Sequence, residues 1–374
     1  MRIGFNAQRL AGQRLGVGRY LEYMVSYWSR MLRPSEQVLL YLREPLREED
    51  TIRAHLADSI VPRLLKPNLS GLAWENLVMP WYSGEVDVLF GPSYTLPVAH
   101  RGKTVVAIHS VNELMAGAHP WWYSLTYSKI HRWSGHRADR IIVPCEMTRA
   151  DVVRYYGISE ACIDVIPQGA DDTFRPIDDD HLLSETRRRL LGSDVPYVLF
   201  AGKLSQRRNI PALIEAFAQV KKRRKIPHKL LLFGPNHLNL PLAELASSLG
   251  VSDSVVQTDG RISNHRELVP IYNAADVFVH PSQYEGWSMT TMEALACGTA
   301  VIASNRGGLG EVVDGHGFML DEPTPGAIAD AMEQVLTDDG LRRELEMKAR
   351  ARGSMFSWES TTRETLDVVR RVAS

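Results

Sequence analysis

Three cysteines in 374 residues are too few to staple a fold. Cys145, Cys162 and Cys297 form no C-x-x-C pair and no metal-ligand spacing, which excludes a disulfide framework and a zinc module. An odd, sparse set fits a reducing compartment. No stretch approaches ~18 consecutive apolar residues, so no transmembrane helix is expected. The start, "MRIGFNAQRL", lacks the apolar run that follows the first basic residue of a signal peptide. Excess charge is also missing. Lys and Arg total 43 against 44 Asp and Glu, a formal net charge of −1, so electrostatics give no overall reason to expect a nucleic-acid partner. Short-period repeats and low-complexity segments are absent. The expectation is a cytoplasmic protein that can still touch the inner face of a membrane peripherally.

What is present is a succession of short apolar runs separated by helical patterns. In the first half they are "RIGFNA", "QVLLYLR", "VDVLFG", "TVVAIH", "RIIVPC" and "DVIPQG"; in the second, "YVLFAG", "KLLLFG", "SVVQTDG", "DVFVHPS" and "AVIASN". Strands this apolar are buried on both faces, as in parallel sheets covered by helices. Alternation with helices argues for repeated βαβ units. An acidic, proline-bearing stretch at 169–180 separates the halves. The chain is long enough for two domains. The expected fold class is therefore α/β, two doubly wound Rossmann-like domains with a central cleft between them. Expected boundaries are 1–175, 185–355 and a last helix over 356–374. In such sheets ligands sit beyond the carboxyl ends of the strands.

Several motifs fall on that side. In "GKLSQRRNIPALIEAFAQV", Asn209 suits an N-cap and Pro211 the first turn, while Leu213, Ile214, Phe217 and Val220 share one face. Lys203 and Arg208 lie in the loop before this helix. They are either solvated loop charges or the cations of a polyanion site. "KKRRK" at 221–225 follows as helix C-terminal charges. Gly16 and Gly18 of "LGVGRYLEYMV" let backbone approach a ligand, or simply make a turn; the third glycine of a dinucleotide fingerprint is missing. His109 ends an apolar run as a catalytic or merely hydrogen-bonded cleft residue. The aromatic and basic segment 119–140 either lies on an anionic membrane or packs into the core. "DDD" at 178–180 reads as a solvated loop, and no metal ligand is proposed.

"EGWSMTTMEALACG", Glu285 to Gly298, sets two glutamates around a helix start, although helix starts attract anions. The neighbours of Glu293 are apolar, so its carboxylate is expected to be partly buried and to need donors.

That stretch, as "HPSQYEGWSMTTMEALACGTAVIAS", resembles the signature of retaining glycosyltransferases of family four, the group 1 transferases with the GT-B fold. Their hallmark is a glutamate, seven residues and a second glutamate, as in Glu285 and Glu293. "GKLSQRRNIPALIEAF", "LGVGRYLEYMV", "VVAIHS", "DVIPQGADDTF" and "FSWESTTRETLDVV" resemble other segments of that family, so the likeness runs over nearly the whole chain. The resemblance implies that Lys203 and Arg208 hold the donor diphosphate and stabilise the leaving group. It implies that the backbone of Gly286, Trp287, Ser288 and Met289 meets phosphate and sugar, that Glu285 binds sugar hydroxyls and that Glu293 grips the ribose diol. Gly16 would approach the diphosphate, His109 would line the reacting centre, and Gly260, Arg261 and Ile262 would face the base. Trp287-Ser288-Met289 stands where the family often has Phe-Gly-Leu, Leu15 where it has a glycine, and Gln168 where it often has asparagine.

The resemblance implies a retaining, metal-independent transfer of a hexosyl group, mannosyl among the candidates. The donor would be a nucleotide-diphosphate sugar and the acceptor a saccharide or lipid-linked hydroxyl, with no other cofactor. A GT-B sugar-nucleotide epimerase and a non-catalytic nucleotide-sugar-binding module are the alternatives. Acceptor contacts are expected in the first domain, near Tyr94 and the loop after His109.

Overall fold

The computed structural model describes residues 1–10, 16–46, 51–115, 121–262 and 265–374. The chain forms two compact units. Met1–Leu114, His119–Gln168 and Trp358–Ser374 make the first, and Gly169–Ser357 makes up the bulk of the second.

The first unit is built on seven parallel strands: β1 (Arg2–Asn6), β2 (Gln37–Leu42), β3 (Ile60–Leu64), β4 (Val88–Gly91), β5 (Lys103–Ala107), β6 (Arg140–Val143) and β7 (Ile163–Val165). Their order is β3-β2-β1-β4-β5-β6-β7. The second holds β8 (Tyr197–Ala201), β9 (Lys229–Phe233), β10 (Val255–Thr258), β11 (Val277–His280), β12 (Val301–Ser304) and β13 (Phe318–Leu320), also parallel, in the order β10-β9-β8-β11-β12-β13. Both sheets reverse direction of winding beside their first strand, between β1 and β4 and between β8 and β11. This is the doubly wound arrangement, and the crevice at such a reversal is where ligands bind.

Burial explains which runs became strands. Every residue of Tyr197–Ala201 is buried, as are those of Val277–His280 and Val301–Ser304. Helices cover these strands with apolar faces. Ile210, Leu213, Ile214, Phe217 and Val220 of the helix Ile210–Arg223 join the core of the second unit with Ile328, Met332 and Val335 of the helix Pro325–Thr337. The cations that follow Val220 stay at the rim, where Arg223 pairs with Asp330 and Arg224 with Glu333. Asn209 stands at the expected N-cap position, but its side chain makes no capping bond. It sits at φ +60°, and its amide donates to the Pro323 carbonyl at 2.7 Å instead. The acidic run is more than a loop: Asp179 caps the helix Asp180–Leu191 by accepting from the Leu182 amide.

The last helix, Trp358–Ala373, belongs to the first unit. Trp358 stacks on Tyr23 with ring centroids 4.4 Å apart, the Trp28 indole donates to the Thr362 carbonyl, and Arg370 grips Glu36. No helix among the described residues is long and apolar enough to cross a membrane. Of the segment 119–140, residues 119–120 and the side chains of 121–125 lie outside the described residues; Lys129 and Arg132 are exposed and Trp133 half-buried.

Beside the reversal of the first sheet lies a buried carboxyl. Glu75, on the helix Gly71–Leu77, is 1% exposed and accepts from Thr95 Oγ1 at 2.8 Å and Gln8 Nε2 at 3.1 Å. Burial pushes its carboxyl up to about 7, against the ordinary 4.5. A raised carboxyl favours the folded state while it is protonated, and that stability is lost as pH rises through about 7. Glu75→Gln removes the charge penalty. Its stability relative to the parent chain, measured by urea unfolding, is expected to rise by about 3 kcal/mol between pH 4.5 and pH 8. A pH-independent difference would contradict a raised carboxyl.

Candidate functional site in the second unit

The reversal of the second sheet lies between β8 and β11, and the loops leaving these two strands meet. Residues 202–209 follow β8 and 281–288 follow β11; the Gln283 amide donates to the Arg207 carbonyl at 2.8 Å. The floor beside them is bare backbone. Gly202, Gly234 and Gly260, after β8, β9 and β10, all have positive φ. A Cβ on Gly234 would overlap the Gly202 carbonyl, and one on Gly260 would come 2.7 Å from the Gly234 Cα. Glycine is required where main chains close this tightly.

On this floor two guanidinium groups share one carboxylate. Arg208 Nε donates to Glu285 Oε1 at 2.9 Å, and Arg207 Nη1 lies 3.1 Å from Glu285 Oε2. Arg208 also reaches the Lys203 carbonyl at 3.1 Å, and Arg207 donates to the Tyr284 carbonyl. Ser282 Oγ donates to Oε1, and His280 Nε2 stands 3.5 Å from the same oxygen. Glu285 is 8% exposed. Burial alone would raise its carboxyl, but Arg207 and Arg208 overcome this and hold it well below the usual range. His280 is fully buried, and burial lowers its pKa, so the ring is neutral near pH 7. Its Nδ1 faces the Thr291 and Ser288 hydroxyls at 3.1 and 3.3 Å and accepts from one of them, leaving Nε2–H to face Glu285.

Lys203 is exposed, and its ammonium has no ion pair among the described residues. Desolvation and the neighbouring arginines lower its pKa. The three cations and one carboxylate leave a net of two positive charges beside the start of the helix Met289–Cys297. Ser288 caps that helix through the Thr291 amide, while the Met289 and Thr290 amides find no partner among the described residues. Gly298 closes the helix at φ +75°. Glu293, one turn in, is 2% exposed and accepts from the Tyr272 hydroxyl at 2.9 Å. Trp287 is buried edge-on against Phe356. Arg261 stands apart, exposed and paired with Asp259; Ile262 is half-buried beside it.

In the first unit, His109 follows β5. Nε2 lies 2.8 Å from the Pro92 carbonyl and Nδ1 3.1 Å from the Gln168 amide nitrogen. Burial drops its pKa to about 4, so Nε2 carries the proton and Nδ1 accepts. The ring lies between Tyr20 and Tyr94, and Tyr94 holds φ +72°. The geometry does not suit a proton-transferring His109, because both nitrogens are engaged and the ring resists charging. Gly16 precedes the helix Val17–Met31 at φ +48°; Leu15 lies outside the described residues.

Comparison with known proteins decides the family. The family described as Glycosyl transferases group 1 matches residues 184–352, and Glycosyltransferase Family 4 matches residues 15–174. A D-inositol 3-phosphate glycosyltransferase of Corynebacterium urealyticum is 32% identical over 303 residues, 78% of this chain and 69% of the relative. The chain belongs to the family-four, group 1 glycosyltransferases. Among solved structures, sucrose-phosphate synthase of Thermosynechococcus elongatus aligns with a TM-score of 0.80 at 21% identity, over 99% of this chain and 98% of that one. Anabaena HepE, solved with UDP-glucose, aligns with a TM-score of 0.81 at 18% identity, over 99% and 100%. The fold is GT-B.

The structure of this glycosyltransferase brings Arg208, Glu285 and the Lys203 backbone into direct contact, with the helix that carries Glu293 starting alongside. It leaves Arg261 outside that contact set. Sequence reading missed three members, Arg207, His280 and Ser282. The signal for Arg207 was the tandem arginine itself; for His280 it was a lone polar residue ending an all-buried strand. Among the described residues no group of three or more His, Cys, Asp or Glu is placed to hold a metal ion.

The 285 loop is also pinned from beneath. Gly307 has φ +58°, its Cβ would overlap the Glu285 carbonyl, and the Gly308 amide donates to that carbonyl at 2.7 Å. Gly307→Ala is expected to cost the transferase about 1–3 kcal/mol in urea unfolding. Gly326→Ala, where nothing lies within 4 Å of the added carbon, is the control and is expected to cost nothing. Equal stability of the two variants would refute the pinning.

Proposed function

We propose that the chain transfers a hexosyl group, mannosyl among the candidates, from a nucleotide-diphosphate sugar, with retention and without an essential metal ion. The observation that carries this reading is the net positive cluster of Lys203, Arg207 and Arg208 around one fixed carboxylate, beside helix amides that have no partner among the described residues. Departure of a nucleoside diphosphate develops negative charge. Preorganised cations and amides stabilise it in the place a metal ion would otherwise take. The bond from the anomeric carbon to the phosphate oxygen breaks as a new bond forms to the acceptor oxygen. The acceptor proton passes to a departing phosphate oxygen. Attack from the leaving-group face preserves the anomeric configuration.

In this reading Lys203 and Arg208 take the diphosphate. Glu285 and the backbone of Gly286, Trp287, Ser288 and Met289 take the sugar, and Glu293 takes the ribose. Arg261 and Ile262 face the base. In the first unit His109 is a neutral, hydrogen-bonded ring and not an acid. The acceptor is a saccharide, lipid-linked or phosphorylated polyol hydroxyl; the last is suggested by the inositol phosphate in the relatives' name. We place the activity in the cytoplasm, with peripheral membrane contact by the first unit left to lipid-linked acceptors.

A thermal-shift panel of UDP-, GDP-, ADP- and dTDP-sugars is expected to give one stabilising family of donors. Product analysis with and without acceptor then separates transfer from epimerisation and from binding alone. Lys203→Ala is expected to lower kcat on the order of 10²-fold with the melting temperature unchanged, since the side chain is exposed. Wild-type turnover in that variant would refute the leaving-group role. Activity that vanishes with EDTA and returns with Mn²⁺ or Mg²⁺ would refute the metal-free reading.

A further inference from the structure

We infer that Arg207 is a positioning residue that keeps Glu285 ionised while Arg208 leaves it for the donor's phosphates. The inference rests on the donor site proposed above. The two arginines are anchored differently. Arg207, in the loop after β8, is tied to the loop after β11: its carbonyl accepts from Gln283, its guanidinium donates to the Tyr284 carbonyl, and Nη1 lies 3.1 Å from Glu285. Among the described residues, the side chain of Arg208 holds only Glu285 and the carbonyl of Lys203, in its own loop. Of the pair, Arg208 is the one that can swing to a phosphate without dismantling the loop.

That motion has a consequence for Glu285. The groups facing its carboxylate are Arg207, Arg208, His280 and the Ser282 hydroxyl. His280 cannot replace a lost cation. Its Nδ1 faces two hydroxyls, and its ring, kept neutral by burial, only turns Nε2 toward Glu285 at 3.5 Å. Lys203 points no ion pair at Glu285. With Arg208 withdrawn, Arg207 is the charge that remains. Without it a nearly buried carboxylate would face neutral donors alone and take up a proton. A carboxylic acid at this point would offer the sugar hydroxyls one acceptor fewer. Alternatively Arg208 would stay on Glu285, and the diphosphate would have to compete for it.

Arg207→Gln tests this in the full chain, with steady-state kinetics against donor and acceptor over a range of pH. Donor KM is expected to rise about tenfold and the acidic limb of the kcat profile to move about one unit toward neutrality, with acceptor KM unchanged. Arg207→Lys, which keeps the charge, is expected to restore the limb. Adding Glu285→Gln to Arg207→Gln is expected to abolish the shift, because the titrating group is gone. A purely structural role would lower the melting temperature without moving the limb. Transfer by Arg207→Gln with parental donor KM and an unshifted limb overturns the role of Arg207 alone. A parent chain that transfers no sugar from any nucleotide-sugar overturns the donor reading along with it.

Discussion

One carboxylate shared by two guanidinium groups is the interaction on which the second unit's site depends. Glu285 holds the loop after β8 to the loop after β11 through Arg208 and Arg207. Such a cluster is costly. Taking charges out of water often outweighs their mutual attraction, and apolar side chains of the same size commonly give equal or greater stability. Its value lies in geometry and charge. The carboxylate fixes where the cations stand, and because one negative charge meets three positive ones, the site stays attractive to a dianionic ligand. The two carboxylates around a helix start suited to anions are thus not in conflict with it. Glu285 organises the cations, and Glu293 faces Tyr272 deeper in the helix.

The fold supplies the place for this cluster. A sheet that winds both ways from β8 leaves a crevice beside β11, and the glycines after β8, β9 and β10 keep side chains out of it. The first unit repeats the reversal between β1 and β4 but furnishes it differently. There the polar groups are neutral or nearly so: a histidine with both nitrogens engaged, and a carboxyl raised by burial. Fixed charge thus stands beside the second sheet's reversal, and a neutral histidine and a raised carboxyl mark the first unit.

Much of this was legible in the sequence, for a physical reason. Strands buried on both faces must be apolar throughout, so "YVLFAG" or "TVVAIH" can be read directly. The two strands that escaped, β3 and β13, are edges. Ile60–Leu64 carries Pro62 and Arg63 and is mostly exposed, and Phe318–Leu320 is three residues long. Neither needs an apolar signature. The resemblance to family four named Lys203, Arg208, Glu285 and Glu293. It did not reveal that Arg207 shares Glu285, because an ion pair across 78 positions leaves no local pattern. Asn209 looked like a cap because asparagine so often is one; a partner on a distant loop, the Pro323 carbonyl, claimed its side chain. Gln168 in place of asparagine also acquires a reason, since its amide is what reaches His109.

The most direct test of the account is a crystal structure of the chain with a nucleoside diphosphate bound. The account predicts phosphate oxygens about 3 Å from the Arg208 guanidinium, the Lys203 ammonium and the Met289 and Thr290 amides, with Arg207 still on Glu285. A diphosphate held elsewhere in the second unit, or bound by Arg207 while Arg208 keeps Glu285, would contradict it.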